Sequence, residues 1–561
     1  MGIQAEQLNQ ADRIGTADSK RPEKAAAQCD VLVIGAGPGG LSAAAAAAAE
    51  LQRTDDDPQI AAGERKQRAA GNPQTAADAP QVVILEREEI PGGILNQCVH
   101  DGFGIVRYGA QLSGPEYAEI EQGKAEESGV RILTGHMVTE ITPEASTGAM
   151  TAETSALDAA TSAPEAPASA PAASASAPAS FAVTAISRSG RHVFHAKAVV
   201  LATGCRERTR GMLSIPGTRP AGIFTAGVAQ NLINRKNIMV GRRVVILGSG
   251  DIGLIMARRL TLEGAQVLCA AEVMEEPTGL ARNVRQCLFD FDIPLYLRTG
   301  VSNIYGKDRL EGVELSQVDE DLKPIPGTGR RIDCDTLILS VGLIPENEVA
   351  KTAGVDLNNK GGAATDSYLQ TSVPGIFACG NAREVMDLAD FVSEQGEVAG
   401  RNAAAFAAGQ SLEKWEKNLH NAALKGLPEE NAVTCTLCPK GCQILAEWDP
   451  EHEEIRVTGN GCPRGENFAR QELTDPHRIL TTTMRVVSDA PEEGLTGKLI
   501  PVRSDKPVPL DEMETLAEML RSMQIPVEHA GELRRGDVLA AGLGRDHVNI
   551  IAERSEISRD I

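Results

Sequence analysis

Apolar stretches of strand length alternate with alanine-rich stretches over most of the chain. The strand-length stretches are rich in Val, Ile and Leu, and they cover residues 31–34, 82–85, 199–201, 244–247 and 337–341. Such side chains favour strands that are buried on both faces. Buried strands that alternate with helices predict an α/β fold with parallel sheets.

Two segments interrupt this pattern, near residues 53–80 and 144–180. The first is polar and aperiodic, and the second holds a run of almost only Ala, Ser and Pro from 155 to 180. Neither can bury enough apolar surface to offset the entropy lost on ordering, so we predict disordered insertions in surface loops. A helical surface excursion is the alternative for each. We predict a disordered tail for residues 1–28, which lack the apolar core of a signal peptide.

A glycine-rich loop follows the first predicted strand and leads into an alanine-rich stretch that we predict to be helical. Its sequence is Gly35-Ala36-Gly37-Pro38-Gly39-Gly40. The first glycine would allow a tight turn, the second the close approach of a pyrophosphate, and the last the packing of the helix on the strand. A loop of this type between a strand and a helix predicts a dinucleotide site.

An acidic residue is expected at the end of the following strand, where it would bind the ribose hydroxyls. Glu86 closes the strand at 82–85 and takes this role if the insertion before that strand is looped out. An ordinary solvated charge at a strand end is the alternative.

A second glycine loop follows the strand at 244–247. Its predicted nucleotide-binding residues are Gly248, Gly250, Asp251, Ile252 and Gly253. The next strand, at 265–271, ends at Glu272, and an acid there weakly favours NADH over NADPH because it suits a 2′-hydroxyl better than a phosphate. A purely structural glycine turn is the alternative, which the presence of two such loops disfavours.

Two further motifs stand where a chain would leave and re-enter the first of two such domains. They are Leu201-Ala202-Thr203-Gly204 and Gly375-Ile376-Phe377-Ala378-Cys379-Gly380-Asn381. With these motifs the chain resembles, over residues 28–410, the two-dinucleotide-binding-domain flavoproteins of the pyridine nucleotide disulfide reductase superfamily. The resemblance implies FAD in the first domain and NAD(P)H in the second. The superfamily has Asp where Asn381 stands, and an amide can make a similar hydrogen bond.

The resemblance also implies a domain organisation and further cofactor contacts. It places the FAD domain at 29–210 and 335–412, and the NAD(P) domain at 211–334. A helix that starts near Phe391 would direct its N-terminus at the flavin, although a plain packing helix is the alternative. The remaining implied cofactor-binding residues are Gly93, Gly342, Val392 and Ser393.

One cysteine near the expected flavin face is a candidate for catalysis. Disulfide reductases carry a CxxxxC pair after two glycines, whereas this chain has Gly92-Gly93-Ile94-Leu95-Asn96-Gln97-Cys98. A dithiol relay at this position is therefore excluded. Cys98 and His100 remain as candidates, because a lone thiolate with a lowered pKa can act as a nucleophile or charge-transfer group. An inert buried thiol is the alternative.

Four cysteines near the C-terminus predict a metal centre. They are Cys435, Cys438, Cys442 and Cys462, and four crowded thiolates can enclose a [4Fe-4S] cluster or a zinc ion. The CxxCxxxC spacing resembles the cluster motif of molybdopterin oxidoreductases, which favours the cluster. Unliganded cysteines are the third alternative. Residues 431–554 resemble a small bacterial domain of unknown function, which we expect to be a cysteine-rich α+β domain.

Net charge, the length of apolar runs and cysteine usage limit which partners and which compartment we expect for the chain. A formal net charge of -22 disfavours nucleic acid and anionic membranes, since both would repel the chain. Apolar runs fall far short of the ~20 residues that span a bilayer. The 11 cysteines do not look like an extracellular disulfide framework, which predicts a cytoplasmic protein.

We therefore predict two Rossmann-like three-layer domains, an added four-cysteine domain and an oxidoreductase function. NAD(P)H and FAD would exchange a hydride, and electrons would leave through the cysteine centre. The segment from Gly92 to Tyr117 is similar to flavoproteins associated with glycerol 3-phosphate dehydrogenase and with opine and amine oxidation, which implies a partner dehydrogenase. The alternatives are a non-catalytic subunit with structural zinc, and a stand-alone dehydrogenase of a small hydroxy or amino compound.

Overall fold

The computed structural model describes residues 27–56, 82–144, 180–416, 424–429, 431–449, 452, 454–487, 498–526 and 532–555. Residues 1–26 of the predicted tail lie outside this part, and the first strand already begins at Ala27. The two predicted insertions lie almost wholly outside it. The helix before the first insertion extends to Asp56, three residues beyond the predicted start of that insertion, because the helical pattern continues into polar residues.

The first α/β domain is built around a sheet of order β5-β2-β1-β8-β7-β6, with β19 (Ile376–Ala378) also beside β8. Strands β1, β2, β5, β8 and β19 are parallel, whereas β6, β7 and β8 are antiparallel. Up to the crossing to the next domain, its elements are β1 (Ala27–Ile34), α1 (Pro38–Asp56), β2 (Val82–Leu85), β3 (Asp101–Phe103), β4 (Leu112–Ser113), α2 (Gly114–Glu127), β5 (Arg131–Leu133), β6 (Met137–Glu144), β7 (Ser180–Ser187), β8 (Gly190–Leu201), β9 (Cys205–Glu207) and α3 (Arg210–Leu213).

Strand β1 is apolar throughout its second half because both of its faces are covered. Val31 and Val33 pack into the core formed with α1, while Leu32 and Ile34 pack into the core on the opposite face. This alternation confirms the sequence-based expectation of a layered α/β domain.

The second α/β domain has a parallel sheet of order β10-β17-β11-β12-β13, which an antiparallel sheet of order β14-β15-β16 covers on one face. Helices α4, α5 and α6 cover the other face. Its elements are β10 (Ile223–Thr225), α4 (Ala226–Lys236), β11 (Arg243–Leu247), α5 (Asp251–Leu262), β12 (Gln266–Ala271), α6 (Ala281–Cys287), β13 (Leu295–Tyr296), β14 (Thr299–Gly306), β15 (Leu310–Gln317), β16 (Arg330–Ile332) and β17 (Thr336–Leu339).

The position of β17 corrects the predicted domain boundary. A boundary at residue 335 assigned this strand to the first domain, but β17 pairs in parallel with β11, with Val244 opposite Thr336. The second α/β domain therefore extends through Leu339, because hydrogen bonding to β11, not chain order, places the strand. The chain then returns through β18 (Leu343–Pro345), α7 (Glu348–Thr352), β19 (Ile376–Ala378) and α8 (Ala389–Ala407).

The described residues of the C-terminal domain, within 431–555, form two main sheets with separate cores, and a two-stranded sheet of β23 and β26. A three-stranded sheet and α9 enclose Cys435, Ile444 and Phe468, and we call residues 433–472 the cysteine part. A five-stranded sheet of order β27-β24-β25-β29-β28 packs with α10, and we call residues 477–552 the sheet part. The elements are β20 (Val433–Thr434), β21 (Gln443–Asp449), β22 (Glu454–Thr458), α9 (Pro463–Glu472), β23 (His477–Arg478), β24 (Thr481–Val487), β25 (Leu499–Ser504), β26 (Val508–Pro509), α10 (Met513–Ser522), β27 (Gln524–Pro526), β28 (Val538–Leu543) and β29 (Val548–Ala552).

No helix in the described ranges combines the length and the apolar character that crossing a bilayer requires.

Candidate cofactor sites

The first glycine loop has the geometry that its spacing predicts. Gly35 has a φ of 103°, and its N–H donates to the carbonyl of Leu85 at 2.9 Å. A Cβ on Gly40 would lie 1.9 Å from the Gly35 oxygen, so only glycine lets α1 start this close to the turn. A Cβ on Gly37, by contrast, would meet no atom within 4 Å. This open space at the N-terminus of α1 fits a pyrophosphate.

Glu86 lies against this loop and is 5% exposed. One carboxylate oxygen accepts from the N–H of Ala36 at 2.7 Å, and the other accepts from the N–H of Glu88 at 2.8 Å. Each oxygen has a further lone pair, so the carboxylate can hold the loop and also accept from ribose hydroxyls. The ordinary solvated charge does not describe this residue.

The second glycine loop repeats this construction. Gly248 has a φ of 99°, and its N–H donates to the carbonyl of Ala271 at 2.7 Å. Glu272 is buried and accepts from the N–H of Ser249 at 2.9 Å and from Met274 at 3.0 Å. A Cβ on Gly253 would lie 2.7 Å from the Cβ of Ser340. Each predicted acid therefore accepts a hydrogen bond from the N–H of the second residue of its own glycine loop.

The side chain of Asp251 has a structural partner that the sequence did not indicate. Its carboxylate accepts from the N–H of Leu280 and from the amide of Asn283, both at 2.8 Å, and so bonds to the start of α6. Burial raises the pKa of this carboxyl group. Thr278 also donates its N–H to the hydroxyl of Ser249 at 3.1 Å. The segment before α6 is therefore anchored on the second loop.

The residues at the exit and return of the first domain also bond to the protein itself. Thr203 donates its hydroxyl to the carbonyl of Glu346 at 2.6 Å. Asn381 donates to the sulfur of Cys205 at 3.3 Å and accepts from the N–H of Met386 at 3.0 Å. Its amide retains one N–H, so the predicted flavin contact of Asn381 stays a prediction.

Three glycines near these residues have left-handed backbone conformations. Gly204, Gly342 and Gly380 have φ values of 72°, 106° and 61°, which L side chains rarely adopt. They allow the chain to turn sharply at the edges of the first domain.

Helix α8 begins at Ala389, two residues before the predicted start. Val392 packs beside Gly39 and Gly380, since Cβ atoms on those glycines would lie 3.1 and 2.8 Å from its side chain. Ser393 is buried and accepts from the hydroxyl of Tyr117 at 2.9 Å. The predicted residues of α8 therefore lie next to the first glycine loop.

Asp390 is a buried site residue that sequence reasoning missed. Its carboxylate accepts from the N–H groups of Gly104 and Val106 at 3.0 and 2.9 Å, which ties the loop after β3 to α8. A single Asp in the first turn of a helix gives no signal of such a long-range bond.

Gly93 brings the Cys98 segment to the first loop, because a Cβ on Gly93 would lie 3.0 Å from the Cα of Gly37. Cys98 donates its thiol to the carbonyl of Ile94 at 3.3 Å, and burial raises the pKa of that thiol to about 12. Burial likewise lowers the pKa of His100 to about 4. Both groups are therefore neutral near pH 7, which argues against a resting thiolate, and their catalytic role stays a prediction.

The four C-terminal cysteines share one neighbourhood in the cysteine part. The N–H of Cys435 donates to the carbonyl of Cys442 at 2.9 Å, and Cys462 caps α9. Cys435 is buried, whereas Cys462 is exposed. Within the part of the chain that the structure describes, however, no three His, Cys, Asp or Glu side chains are arranged to hold a metal ion. The cluster or zinc site therefore stays a prediction.

Two layered α/β domains, each with a glycine loop at a strand–helix junction and a buried acid behind that loop, define the class of two-domain dinucleotide-binding proteins. Residues 175–396 match the family model "Pyridine nucleotide-disulphide oxidoreductase". Over these residues the chain is similar to that family of oxidoreductases. Residues 463–554 match the family "Protein of unknown function (DUF1667)". The matched region therefore begins directly after Cys462, the last of the four cysteines.

Two of the similar proteins are named as parts of oxidoreductase systems. The ferredoxin reductase component of chlorobenzene dioxygenase from Cupriavidus sp. (strain PS12) is 31% identical over 203 residues, which are 35% of this chain and 46% of that protein. One of the subunits of opine oxidase from Agrobacterium tumefaciens (strain Ach5) is 28% identical over 233 residues, 39% of this chain and 44% of that protein. The chain thus spans less than half the length of these relatives.

Among solved structures, thioredoxin reductase from Lactococcus lactis matches 68% of this chain and 99% of its own length. The sequence identity is 20% and the TM-score is 0.48.

Proposed function

We propose that this chain is a flavoprotein oxidoreductase in which FAD, bound by the first α/β domain, exchanges a hydride with NAD(P)H bound by the second. The observation that carries the proposal is the repeated construction of the two loops. In each, the second residue of the loop donates its N–H to a buried glutamate, from Ala36 to Glu86 and from Ser249 to Glu272. FAD would supply the hydride acceptor, while the chain supplies binding and orientation.

The residues of this chain have distinct roles in that proposal. The N-terminus of α1 and the space beside Gly37 would hold the FAD pyrophosphate, and Glu86 its ribose. The N-terminus of α5 and Glu272 would do the same for the nicotinamide nucleotide. Glu272 weakly favours NADH, since a carboxylate would repel a 2′-phosphate.

Anaerobic titration of the purified protein with NADH tests the proposal. We expect a yellow protein whose flavin absorbance is lost on addition of NADH. A colourless protein that also fails to take up added FAD would refute the first half of the proposal. A yellow protein that neither NADH nor NADPH bleaches would refute the second half.

We further propose that the electrons pass on to a partner protein. Support comes from the relatives, because one is a ferredoxin reductase component and another belongs to opine oxidase. A partner dehydrogenase related to glycerol 3-phosphate dehydrogenase is the specific prediction from the sequence. Co-purification of the chain from its source, followed by identification of the bound proteins, tests it, and recovery of the chain alone with full dye-linked turnover on a small hydroxy or amino compound would contradict it.

The metal centre is a separate proposal that rests on the spacing of Cys435, Cys438, Cys442 and Cys462 alone. We assign it no electron-transfer step, because the described side chains do not converge on a metal. Elemental analysis of the purified protein decides between iron, zinc and neither.

A further inference from the structure

The covalent connection between the two α/β domains is slender. The chain crosses between them twice, and the crossing strands β9 and β18 pair as an antiparallel two-stranded ribbon, with Leu343 opposite Glu207. Domains with a connection of this kind are expected to move relative to each other unless a large interface holds them. A hydride transfer between nucleotides in different domains needs the reacting atoms to be held about 3 to 3.5 Å apart.

The C-terminal domain is anchored on the second α/β domain by apolar packing. Leu262, at the end of α5, is buried and belongs to the core of the sheet part together with Leu480 and Met484. Arg259, on the same helix, donates to the hydroxyls of Thr482 and Thr483 at 2.9 and 3.2 Å. The C-terminal domain and the second α/β domain therefore share a packed, hydrogen-bonded interface.

The same C-terminal domain reaches the first α/β domain through arginines. Arg503 donates its Nε to both oxygens of Glu116 on α2 at 3.1 Å, and Arg554 donates to the side-chain oxygen of Asn96 at 2.7 Å. Arg535 also donates to the carbonyl of Glu116 at 3.4 Å. We call the Arg503–Glu116 and Arg554–Asn96 contacts the latch.

One latch contact, Arg554–Asn96, lies in the segment beside the first glycine loop. Asn96 is followed by Gln97, which is buried and donates to the carbonyl of Gly227 at the start of α4 at 2.8 Å. The carbonyl of Gln97 accepts from Asn234 at 2.8 Å, and Asn234 in turn accepts from Arg259 at 2.8 Å. A hydrogen-bonded chain thus runs from this segment through the second domain to the C-terminal domain.

The junction of the three domains is closely packed. A cavity of about 10 Å³ lies there, lined among others by His100, Arg258 and Thr481, one residue from each domain. This is room for about one water molecule.

From this arrangement we propose that the C-terminal domain latches the second α/β domain onto the first, so that Arg503 and Arg554 are positioning residues for hydride transfer between nicotinamide and flavin. The inference rests on the proposed function. It gives the C-terminal domain a role that needs no metal, because the latch and its anchor lie in the sheet part and its C-terminal end.

The test is the double variant Arg503→Gln/Arg554→Gln, followed by rapid-mixing measurement of flavin reduction by NADH. We expect the limiting rate of reduction to fall about tenfold or more, because small displacements of reacting groups carry large rate effects. The dissociation constant of NADH and the FAD content should stay near the wild-type values, since neither nucleotide loop is touched. Arg503→Lys should recover part of the rate through a single-point contact with Glu116.

Arg545→Gln is the matched control. Arg545 pairs with Asp475 and Asp511 inside the C-terminal domain, so this change removes an arginine charge of the same kind, one instead of two, without crossing a domain boundary. We expect wild-type reduction rates from it. Equal slowing by Arg545→Gln and by the latch variant would overturn the proposal, as would a latch variant with an unchanged limiting rate.

Hydrogen exchange separates this inference from the proposed function. Opening of the latch should speed amide exchange in β9, β18 and the first turn of α4, whether or not NADH reduces the flavin. If wild-type flavin is not reduced, the proposed function fails and exchange alone decides the latch. Unchanged exchange in these segments of the double variant would refute the latch. Should the double variant not fold, Arg554→Gln alone is measured in the same way.

Discussion

Two glycines of the first loop differ in what surrounds them, and this difference makes a prediction at the scale of single residues. A methyl group on Gly37 would meet no protein atom within 4 Å, whereas one on Gly40 would collide with the Gly35 oxygen at 1.9 Å. Gly37→Ala should therefore leave the apoprotein as stable as the wild type but lower FAD affinity at least about tenfold, or ~1.4 kcal/mol, by occupying the pyrophosphate space.

Gly40→Ala serves as the contrasting variant. It should destabilise the apoprotein itself by about 1–3 kcal/mol or more, because the helix start must shift. Equilibrium dialysis of FAD and the unfolding midpoint of the apoprotein measure the two effects. Normal FAD binding by Gly37→Ala would show that the diphosphate does not lie beside this residue.

At the scale of elements, the packing of α1 against α8 depends on small residues. Cβ atoms on Gly396 and Gly400 would lie 2.2 Å from the Gly39 oxygen and 1.9 Å from the Ala43 oxygen. Gly400→Ala should therefore lower the free energy of unfolding by about 1–3 kcal/mol, since two backbones must separate. Denaturant unfolding followed by circular dichroism measures the change.

Gly123→Ala on α2 is the control for that substitution. A Cβ on Gly123 would meet no atom within 4 Å, and alanine is the better helix former by up to about 1 kcal/mol. This variant should be as stable as the wild type or more stable. Loss of stability in both variants would mean that the backbone contact of Gly400 is not the cause, because helix propensity favours alanine at both positions.

The elements that could be predicted from the sequence are those that local pattern determines. Spacing of glycines after a buried strand predicted both loops, and the acids at 86 and 272 followed from the strand ends, because each signal lies within one strand–turn–helix unit. The boundary at 335 was wrong because β17 finds its partner β11 about ninety residues earlier in the chain, a pairing that no local pattern encodes. Gln97, Asn234 and Arg259 were missed for the same reason, since each is an ordinary polar residue until its long-range partner is known.

At the scale of the whole molecule, a buried carboxyl group lies where the C-terminal domain meets the first α/β domain. Glu553 is fully buried. Burial, followed by the nearby charge of Glu116, raises the pKa of Glu553 to about 8, while Ser113, Arg503 and Arg259 act in the opposite direction. The folded protein therefore keeps a proton on Glu553 at neutral pH.

This raised pKa makes the stability of the domain junction dependent on pH. Between the usual pKa of a glutamate, 4.5, and about 8, the folded chain binds a proton that the unfolded chain has released. The stability contributed by Glu553 is thus fully present below about pH 4.5 and falls as the pH rises to about 8, by about 1.4 kcal/mol per pKa unit. Above about pH 8 an ionised Glu553 faces Glu116 across the junction.

Glu553→Gln should remove this dependence, because glutamine has nearly the same shape and stays neutral. The variant should gain stability relative to the wild type on going from pH 5.5 to pH 8.5, by on the order of 2–4 kcal/mol. Thermal unfolding midpoints at the two pH values measure the gain, with the exposed Glu518 changed to Gln as the control in the same domain. Parallel pH profiles for the wild type and Glu553→Gln would show that this carboxyl group is already ionised in the folded protein, and that the junction tolerates two adjacent negative charges.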